Sequence, residues 1–544
     1  MNFIDKMVGA VSPIRGAKRM AARAAMEQLG KVVNYGYSEG GASYVKKSLK
    51  GMTGLSSSPQ MDIDANLLTL RNRSRELYMT SPIAASAIKT SRTNVVGSGL
   101  HLKARVDADF LGLTEDRADE WEARAEREFE FWAETRRCDA LRLNNFYEMQ
   151  SLIFMGQLMN GDGFCLLKYQ SPTPNMPYGL RLQLLESDRV CTPYSVALPI
   201  GNAVNPFWGV NDRNGNQIFS GVEIDKSGAT VAYWVCNQYP YAMNGYTYTT
   251  PEWKCVPAWG AITGRPNILH LFEAERAEQR RGVPLLAPVI EDLQQLKRYE
   301  EAELMAAVIS SCFTVFVTTE GLTTELPLGE SLPLGTPPIP AGDNEYQLGT
   351  GAVVTLAPGE KVEPVDPKRP NTAFDGFVDA VAKSIGAGLE IPADLLLKRF
   401  NASYSASRAA LLEAWKRFQS SRQWLAREFC QPVYEQFLTE AVALGRIEAP
   451  GFLEDPVLRR AWCGADWNGP AQGMLDPTKE VQAAQMRVEN GFSTREEETI
   501  GLTGGNFKRN AKQLKRENQM LKDAEGGSMP SEEPQLDIEL GTGE

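Results

Sequence analysis

The sequence predicts an α+β fold, and three stretches carry the prediction. Over 63–137 apolar side chains recur at the helical repeat. Over 164–275 the pattern changes to short apolar runs set between Gly, Pro and Asn, and over 280–316 it returns to one long helical run. Helix and strand are grouped along the chain, so the first half reads as an α+β unit with a helical lid and the long helix as a spine.

Taken in order, residues 63–100 give two helices separated at Ser81-Pro82, where proline lacks the N–H that would continue the first. They end in the turn Gly97-Ser98-Gly99, too short for a phosphate loop and without the preceding strand such a loop needs. Residues 115–137 form an amphipathic helix with Trp121, Ala125, Phe129 and Trp132 on its core side. A helix over 146–156 leads through Asn160-Gly161-Asp162-Gly163, a tight turn, into a strand over 164–169. Strands follow over 181–186 and 268–272, with a hairpin over 221–235 that turns on Lys226-Ser227-Gly228.

In the long helix, Leu286, Val289, Leu293, Leu296, Tyr299, Leu304 and Val308 predict one buried face, while Glu291, Asp292, Lys297, Arg298, Glu300, Glu301 and Glu303 form the exposed side. Pro284 and Pro288 fall in its opening turns, where a missing N–H costs least, and neither Gly nor Pro interrupts it before Cys312. At about 1.5 Å per residue it is a rod of roughly 40 Å. Residues 314–370 are too rich in Pro for helix and predict a small exposed element with two or three short strands. A second helix runs from Asn371 to about Gly386 and breaks at Gly386-Ala387-Gly388. A loop from Glu390 to Tyr404 comes next and carries Lys398-Arg399-Phe400-Asn401: two cations, an aromatic and an amide. A third helix from Ser405 carries Leu411, Trp415, Phe418, Leu425 and Phe429 and bends near Pro432. A helix over 477–489 starts on the N-cap Asp476 with Pro477 in first position, and one over 507–523 is charged all round.

At 544 residues the chain exceeds what one core usually supports, which predicts two to four domains. Its net charge of -11 is unevenly spread: the first fifty residues are basic and the last twenty acidic. The basic arm would be transit-like, bind nucleic acid, or order on assembly. The Gly-, Ser- and Pro-containing acidic tail cannot bury enough surface to order itself. No run of about twenty apolar residues exists, so no transmembrane helix is expected, and the N-terminus lacks the apolar core of a secretory signal. Eight scattered cysteines without a C-x-x-C pair read as reduced thiols rather than zinc ligands or a disulfide framework. His101 and His270, the two histidines, are expected to be structural.

Candidate chemistry is sparse. Glu186 and Asp188 would be the carboxylate pair of a hydrolase, but such pairs are commonly solvated loop charges, and nothing near them would hold a substrate. No G-x-x-x-x-G-K-[ST] loop is present, so any ATP-driven step belongs to a partner. No catalytic residue, metal site or cofactor is assigned. A carboxylate-dependent hydrolase and a monomeric adaptor acting through its Pro-rich loop are two functions open to such a chain.

A third arises from six stretches that, in this order, resemble the phage portal proteins of the lambda-like family. They are RSRELYMTSPIAASAIKTSRTNVVGSGL at 73–100, the helix from Trp121 to Trp132 followed by CDA at 138–140, and GVEIDKSGATVAYW at 221–234. To these add RRGVPLLAPVIEDLQQLKRYEEAEL at 280–304, YSASRAALLEAW at 404–415 and LDPTKEVQAA at 475–484. The likeness spans residues 65–520; the first sixty residues and the tail fall outside it, and the Pro-rich stretch matches only in character. It implies a non-enzymatic ring, a dodecamer at one capsid vertex of the virion, assembled in the host cytoplasm. A terminase would pump double-stranded DNA through the ring, and DNA would later be ejected through it. The major capsid protein and a head-completion or adaptor protein would be further partners, with no membrane. Laid on this chain, the resemblance implies a basic arm at 1–60, an α+β wing at 61–278 and a stem at 279–313 and 371–389 showing Glu291, Lys297, Arg298 and Glu301. It further implies a clip at 314–370, a tunnel loop at 390–404 offering Lys398, Arg399, Phe400 and Asn401 to DNA, an inner wing helix at 405–449, a crown-like helical region at 450–522 and an acidic tail at 523–544.

The chain's charge agrees with such a conduit. A basic wall would release counterions and grip DNA, whereas a mainly acidic one lets it slide, and a few loop cations touch phosphates without reading sequence. Ordinary solvation of Lys398 and Arg399 is the competing explanation.

Overall fold

The computed structural model describes residues 46–52, 56–200, 203–240, 250–312, 316–319, 360–363, 374–400, 403–473 and 476–525. Most of the basic arm, most of the Pro-rich stretch, Asn401 and the tail beyond Glu525 lie outside them. The chain divides into two compact units, Met1–Asp62 and Ile63–Glu544. In the first, a 3-10 turn spans Lys47–Leu49. The second holds the sheets and the α-helices from Ala65 onward.

Helices α1 (Ala65–Thr80) and α2 (Pro82–Val95) meet at Ser81, whose hydroxyl accepts from the Ala84 N–H as the N-cap of α2. Strand β1 (His101–Ala104) comes next, then α3 (Glu115–Glu134) and α4 (Phe146–Asn160), the latter closed at its start by a capping box between Asn145 and Glu148. Strands β2 (Asp162–Tyr169) and β3 (Leu180–Leu185) form an antiparallel sheet with a later strand, Ile268–Phe272, in the order Ile268–Phe272, β2, β3. Between β3 and that strand a six-stranded antiparallel meander runs from β4 (Ala197–Ile200) through β5 (Ala203–Val210), β6 (Gln217–Phe219), β7 (Val222–Ile224) and β8 (Thr230–Cys236) to β9 (Trp253–Pro257).

The period of two divides the three-stranded sheet between two cores. Phe164, Leu185 and Ile268 face the meander with Val222, Tyr233 and Val235. Cys165, Leu167, Leu182, Leu269 and Leu271 face a larger core shared with the helices. At the centre of that core Phe129 lies edge-on to Phe146, Tyr434 and Phe437, with centroids 5.5, 5.6 and 5.2 Å away.

After Ile268–Phe272, here β10, a 3-10 turn at Ala287–Val289 enters α5 (Ile290–Cys312). Both prolines thus precede the regular helix. Strands β11 (Phe316–Thr319) and β12 (Glu360–Glu363) pair antiparallel. They are followed by α6 (Phe374–Leu389), α7 (Ala393–Leu397), α8 (Tyr404–Leu425) and α9 (Gln431–Ala443). The bend expected near Pro432 is a π turn at Ala426–Cys430. Then come α10 (Pro456–Trp462), β13 (Ala465–Asn468), α11 (Pro477–Glu489), α12 (Arg495–Thr503) and α13 (Phe507–Glu525).

The α+β class stands as predicted, with four corrections of detail. The helix that starts at Phe146 runs on to Asn160, and Asp162 opens a strand instead of sitting in a turn. Gly386 and Gly388 do not end α6: the helix continues to Leu389 because both glycines serve close packing. A methyl at Gly386 would stand 2.5 Å from the Ile391 carbonyl oxygen, and one at Gly388 would stand 2.9 Å from Val289 Cγ1. The stretch 390–404 is not all loop, since Pro392 starts the short helix α7. Finally, 450–522 is not wholly helical: β13 pairs with β1, Leu102 opposite Trp467, and stitches this region to the first helices.

Candidate functional site

Asp162 is where the first helices, both sheets and the approach to α5 converge. Its side chain is fully buried, a position no ionised carboxylate occupies without compensation. Arg281 supplies two bonds, Nε to Oδ2 at 2.5 Å and Nη2 to Oδ1 at 3.2 Å, and Arg71 donates from Nη2 to Oδ1 at 3.0 Å. His270 Nε2 lies 3.4 Å from Oδ2, its ring stacked 4.2 Å from Phe164. Burial alone would raise the Asp162 carboxyl, but Arg281 and Arg71 outweigh it and hold the group well below the usual carboxylate range. Burial pulls His270 below its ordinary value against the opposing pull of Asp162.

The remaining guanidinium hydrogens of Arg281 are also satisfied. Arg281 donates to the carbonyls of Val190 (2.8 Å), Ser187 (3.0 Å) and Ser220, and Arg71 Nε to that of Asn160 at 2.9 Å. The network therefore ties α1 to the start of β2, to the turn after β3, to the meander, and to Arg281, nine residues ahead of α5. Gly161, at φ +90°, and Gly282 cross backbone to backbone beside it, where either Cβ would collide with the other chain segment.

This cluster also claims the Glu186–Asp188 pair. Asp188 accepts from Arg75 Nη1 at 2.5 Å and Arg71 Nη1 at 3.4 Å, while Glu186 meets Arg75 at 3.4 Å and the Tyr239 hydroxyl at 2.8 Å. Asp188 is a largely buried counterion of Arg71 and Arg75, and Glu186, its side chain 38 % exposed, pairs with Arg75, so the two are engaged by arginines rather than forming a free acid–base pair. Among the described residues no group of three or more His, Cys, Asp or Glu could hold a metal ion, and no helix is long and apolar enough to cross a membrane. The sequence did hold a signal for the network: Arg71 and Ser74 interrupt the buried side of α1 marked by Leu67 and Leu77, and an arginine there requires a buried acid.

Helix α5 leaves the network with only its first half covered. Leu286, Val289, Leu293 and Leu296 are buried in the large core, but Leu304, Met305 and Val308 are 68, 60 and 50 % exposed, so the single buried face expected over the whole rod stops short. Glu291, Arg298 and Glu301 are exposed as predicted and Lys297 half-buried. Gln295 donates to Glu291 at 3.0 Å, and Lys297 stands 3.9 Å from Glu301, one turn on. Helix α6 lies against α5 through Tyr299, whose ring is 5.7 Å from Phe374 and 4.6 Å from Phe377.

At the far end of α6, Arg417 caps the Leu389 carbonyl and stands 3.8 Å from Glu390, which turns the chain at φ +53°. Helix α7 then ends on Lys398 in the left-handed region, φ +55°. Lys398 is not free in solvent: its Nζ donates to Thr90 Oγ1 of α2 at 2.7 Å, and burial lowers its pKa. Arg399 is exposed, its N–H bonded to the Asp394 carbonyl at 3.1 Å, and Phe400 is 53 % exposed. Asn401 lies outside the described residues. The structure thus brings Lys398, Arg399 and Phe400 together on one turn, all three exposed and Lys398 tied to α2.

A family model described as phage portal protein, lambda family, matches residues 46–422. The portal protein of Escherichia phage N15 is 25 % identical over 495 residues, covering 85 % of this chain and 86 % of that one. Portal protein B of Escherichia phage lambda is 24 % identical over 466 residues, 81 and 82 % of the two chains. Among solved structures, a chain from the neck of a native gene transfer agent particle computed with C12 symmetry is similar over 80 % of this chain and 93 % of its own, with 14 % identity and a TM-score of 0.39.

Proposed function

The chain belongs to the lambda family of phage portal proteins, and on that premise we propose that its copies close into a ring, a dodecamer, that forms a DNA channel at one vertex of the virion capsid. The observation that carries the ring is the half-covered spine. Leu304, Met305 and Val308 run along α5 beyond the last residue its own core covers, and a neighbouring copy of the same helix is the surface that a closed ring supplies. In this arrangement α5 and α6 are the stem, rooted in the wing by the Asp162 network. Residues 314–370 form the clip that docks terminase and later the head-completion protein. The turn through Lys398, Arg399 and Phe400 faces DNA, 405–449 forms the inner wing helix, 450–522 the crown, and the wing borders the major capsid protein. The antiparallel pairing of Phe316–Thr319 with Glu360–Glu363 supports the clip, because it brings the two ends of the Pro-rich excursion to one place.

A net charge of -11 per copy favours a channel that does not bind DNA tightly. Mass photometry and negative-stain microscopy of the purified chain test this proposal. A closed ring with a bore wide enough for duplex is expected, and a stable monomer at micromolar concentration would refute it.

A further inference from the structure

We propose that residues 535–540 of this chain, Gln535-Leu536-Asp537-Ile538-Glu539-Leu540, lie back along the outer apolar stripe of α13 and cover it. Two faces of α13 lead to this. Lys508, Lys512 and Arg516, spaced four apart on one side, line with Arg509 a cavity of about 1000 Å³ whose opposite wall is the acidic side of α3, and Lys508 bridges to Asp119 across it. That basic side is therefore already matched.

The other side is not. Phe507, Leu514 and Leu521 recur every seven residues and form a stripe turned away from α3, with Leu514 56 % and Leu521 60 % exposed and Met520 beside them at 68 %. Lys515 and Lys522, each one residue past a leucine of the stripe, flank it.

The chain itself carries a complement. Beyond α13 it reads Gly526-Gly527-Ser528-Met529-Pro530, residues suited to reversing direction. Residues 526–534 can span about 30 Å when extended, and a nineteen-residue helix is about 28 Å long, so 535–540 reaches any point of the stripe. In 535–540 Leu536, Ile538 and Leu540 alternate with Asp537 and Glu539, which places three apolar side chains on one edge of an extended segment and two acids on the other. Residues 526–544 hold Glu532, Glu533, Asp537, Glu539 and Glu544 and neither Lys nor Arg, opposite in sign to the flanking lysines. A short tether gives an effective concentration of the order of millimolar, so a contact too weak to form between separate molecules is populated within one.

Amide hydrogen exchange over 507–525 tests the proposal in the full chain. Ending the chain at Glu525 is expected to speed exchange between Ala511 and Lys522 by about twofold or more, as for a site half-occupied at millimolar affinity. Asp537→Lys with Glu539→Lys should do the same, as should Lys515→Glu with Lys522→Glu, and combining all four should restore protection. Equal exchange in the full and shortened chains overturns the proposal. So does protection that survives the shortening but fades on dilution, which would place a second copy on the stripe. Tail-dependent protection lost on dilution would assign the segment to a neighbouring copy and overturn it as stated.

Discussion

Arg281 and Asp162, 119 residues apart and both fully buried, meet through paired hydrogen bonds, Nε to Oδ2 and Nη2 to Oδ1. Arg281 lies nine residues ahead of the long helix, and because Arg71 shares the same carboxylate, the first helix and the spine are fastened to one anion. Asp162 is the carboxylate that both guanidiniums share, although Arg71 also meets Asp188, so its removal is costly.

Asp162→Asn keeps the shape and deletes the charge, taking from Arg281 its bonded carboxylate and leaving Arg71 with Asp188. We expect a loss of about 3–5 kcal/mol in denaturant-induced unfolding. Glu186→Gln, whose side chain is 38 % exposed and 3.4 Å from Arg75, should cost less than about 1 kcal/mol. Comparable losses for the two would mean that the buried network does not hold the fold as described.

Helix spacing, the Ser81-Pro82 break, the hairpin on Lys226-Ser227-Gly228 and the long run to Cys312 were legible in the sequence because each rests on local periodicity or turn chemistry. The core aromatics of α3 were legible for the same reason. What was hidden depends on partners distant in the chain. Asp162 looks like a turn residue until Arg71 and Arg281 are brought to it, and Gly388 looks like a helix end until Val289 is packed against it. Lys398 looks like a solvated loop cation until Thr90 arrives from 308 residues away. The match of β1 to β13 has the same origin, since four-residue strands carry too little pattern to announce each other.

Asp64 sets a pH dependence. Its carboxyl is 5 % exposed and borders a cavity of about 40 Å³ with Arg71, Ser220 and Arg281, and its Oδ2 has no hydrogen-bond partner among the described residues. Burial raises its pKa from 3.8 to about 6, in spite of Arg281 and Ser220. A carboxyl raised on folding contributes stability that is fully present below its unfolded value and is lost as pH climbs through the folded one. Above pH 6 the ionised group therefore costs on the order of 3 kcal/mol at most. Asp64→Asn should gain stability over the natural chain progressively from about pH 4 to just above pH 6 in thermal melts, and the gain should then level off. A difference that stays flat with pH would show that the titration has another source.

Two glycines of α6 should respond in opposite directions. At Gly376 an added methyl meets nothing within 4 Å, so Gly376→Ala is expected to stabilise by up to about 1 kcal/mol through helix propensity. At Gly386 the methyl would stand 2.5 Å from the Ile391 carbonyl oxygen, and Gly386→Ala should destabilise despite the same propensity gain. Stabilisation by both would show that the helix does end near Gly386 in solution.

The two cations of the turn after α7 are both exposed, but Lys398 is anchored: it sits in the left-handed region with its ammonium 2.7 Å from Thr90 Oγ1, on a residue that is itself 4 % exposed. Thr90→Val and Lys398→Met should therefore each lower stability by about 1 kcal/mol, the worth of one hydrogen bond, and the double variant should lower it no further. On the proposed function, Arg399→Glu should leave stability unchanged and reduce the DNA packaged per particle, because it would alter only a charge offered to phosphate. Lys398→Glu with Arg399→Glu should still assemble rings but package poorly. Full packaging by that pair would remove the turn from any role at DNA, whereas loss of rings would make it part of the subunit contact.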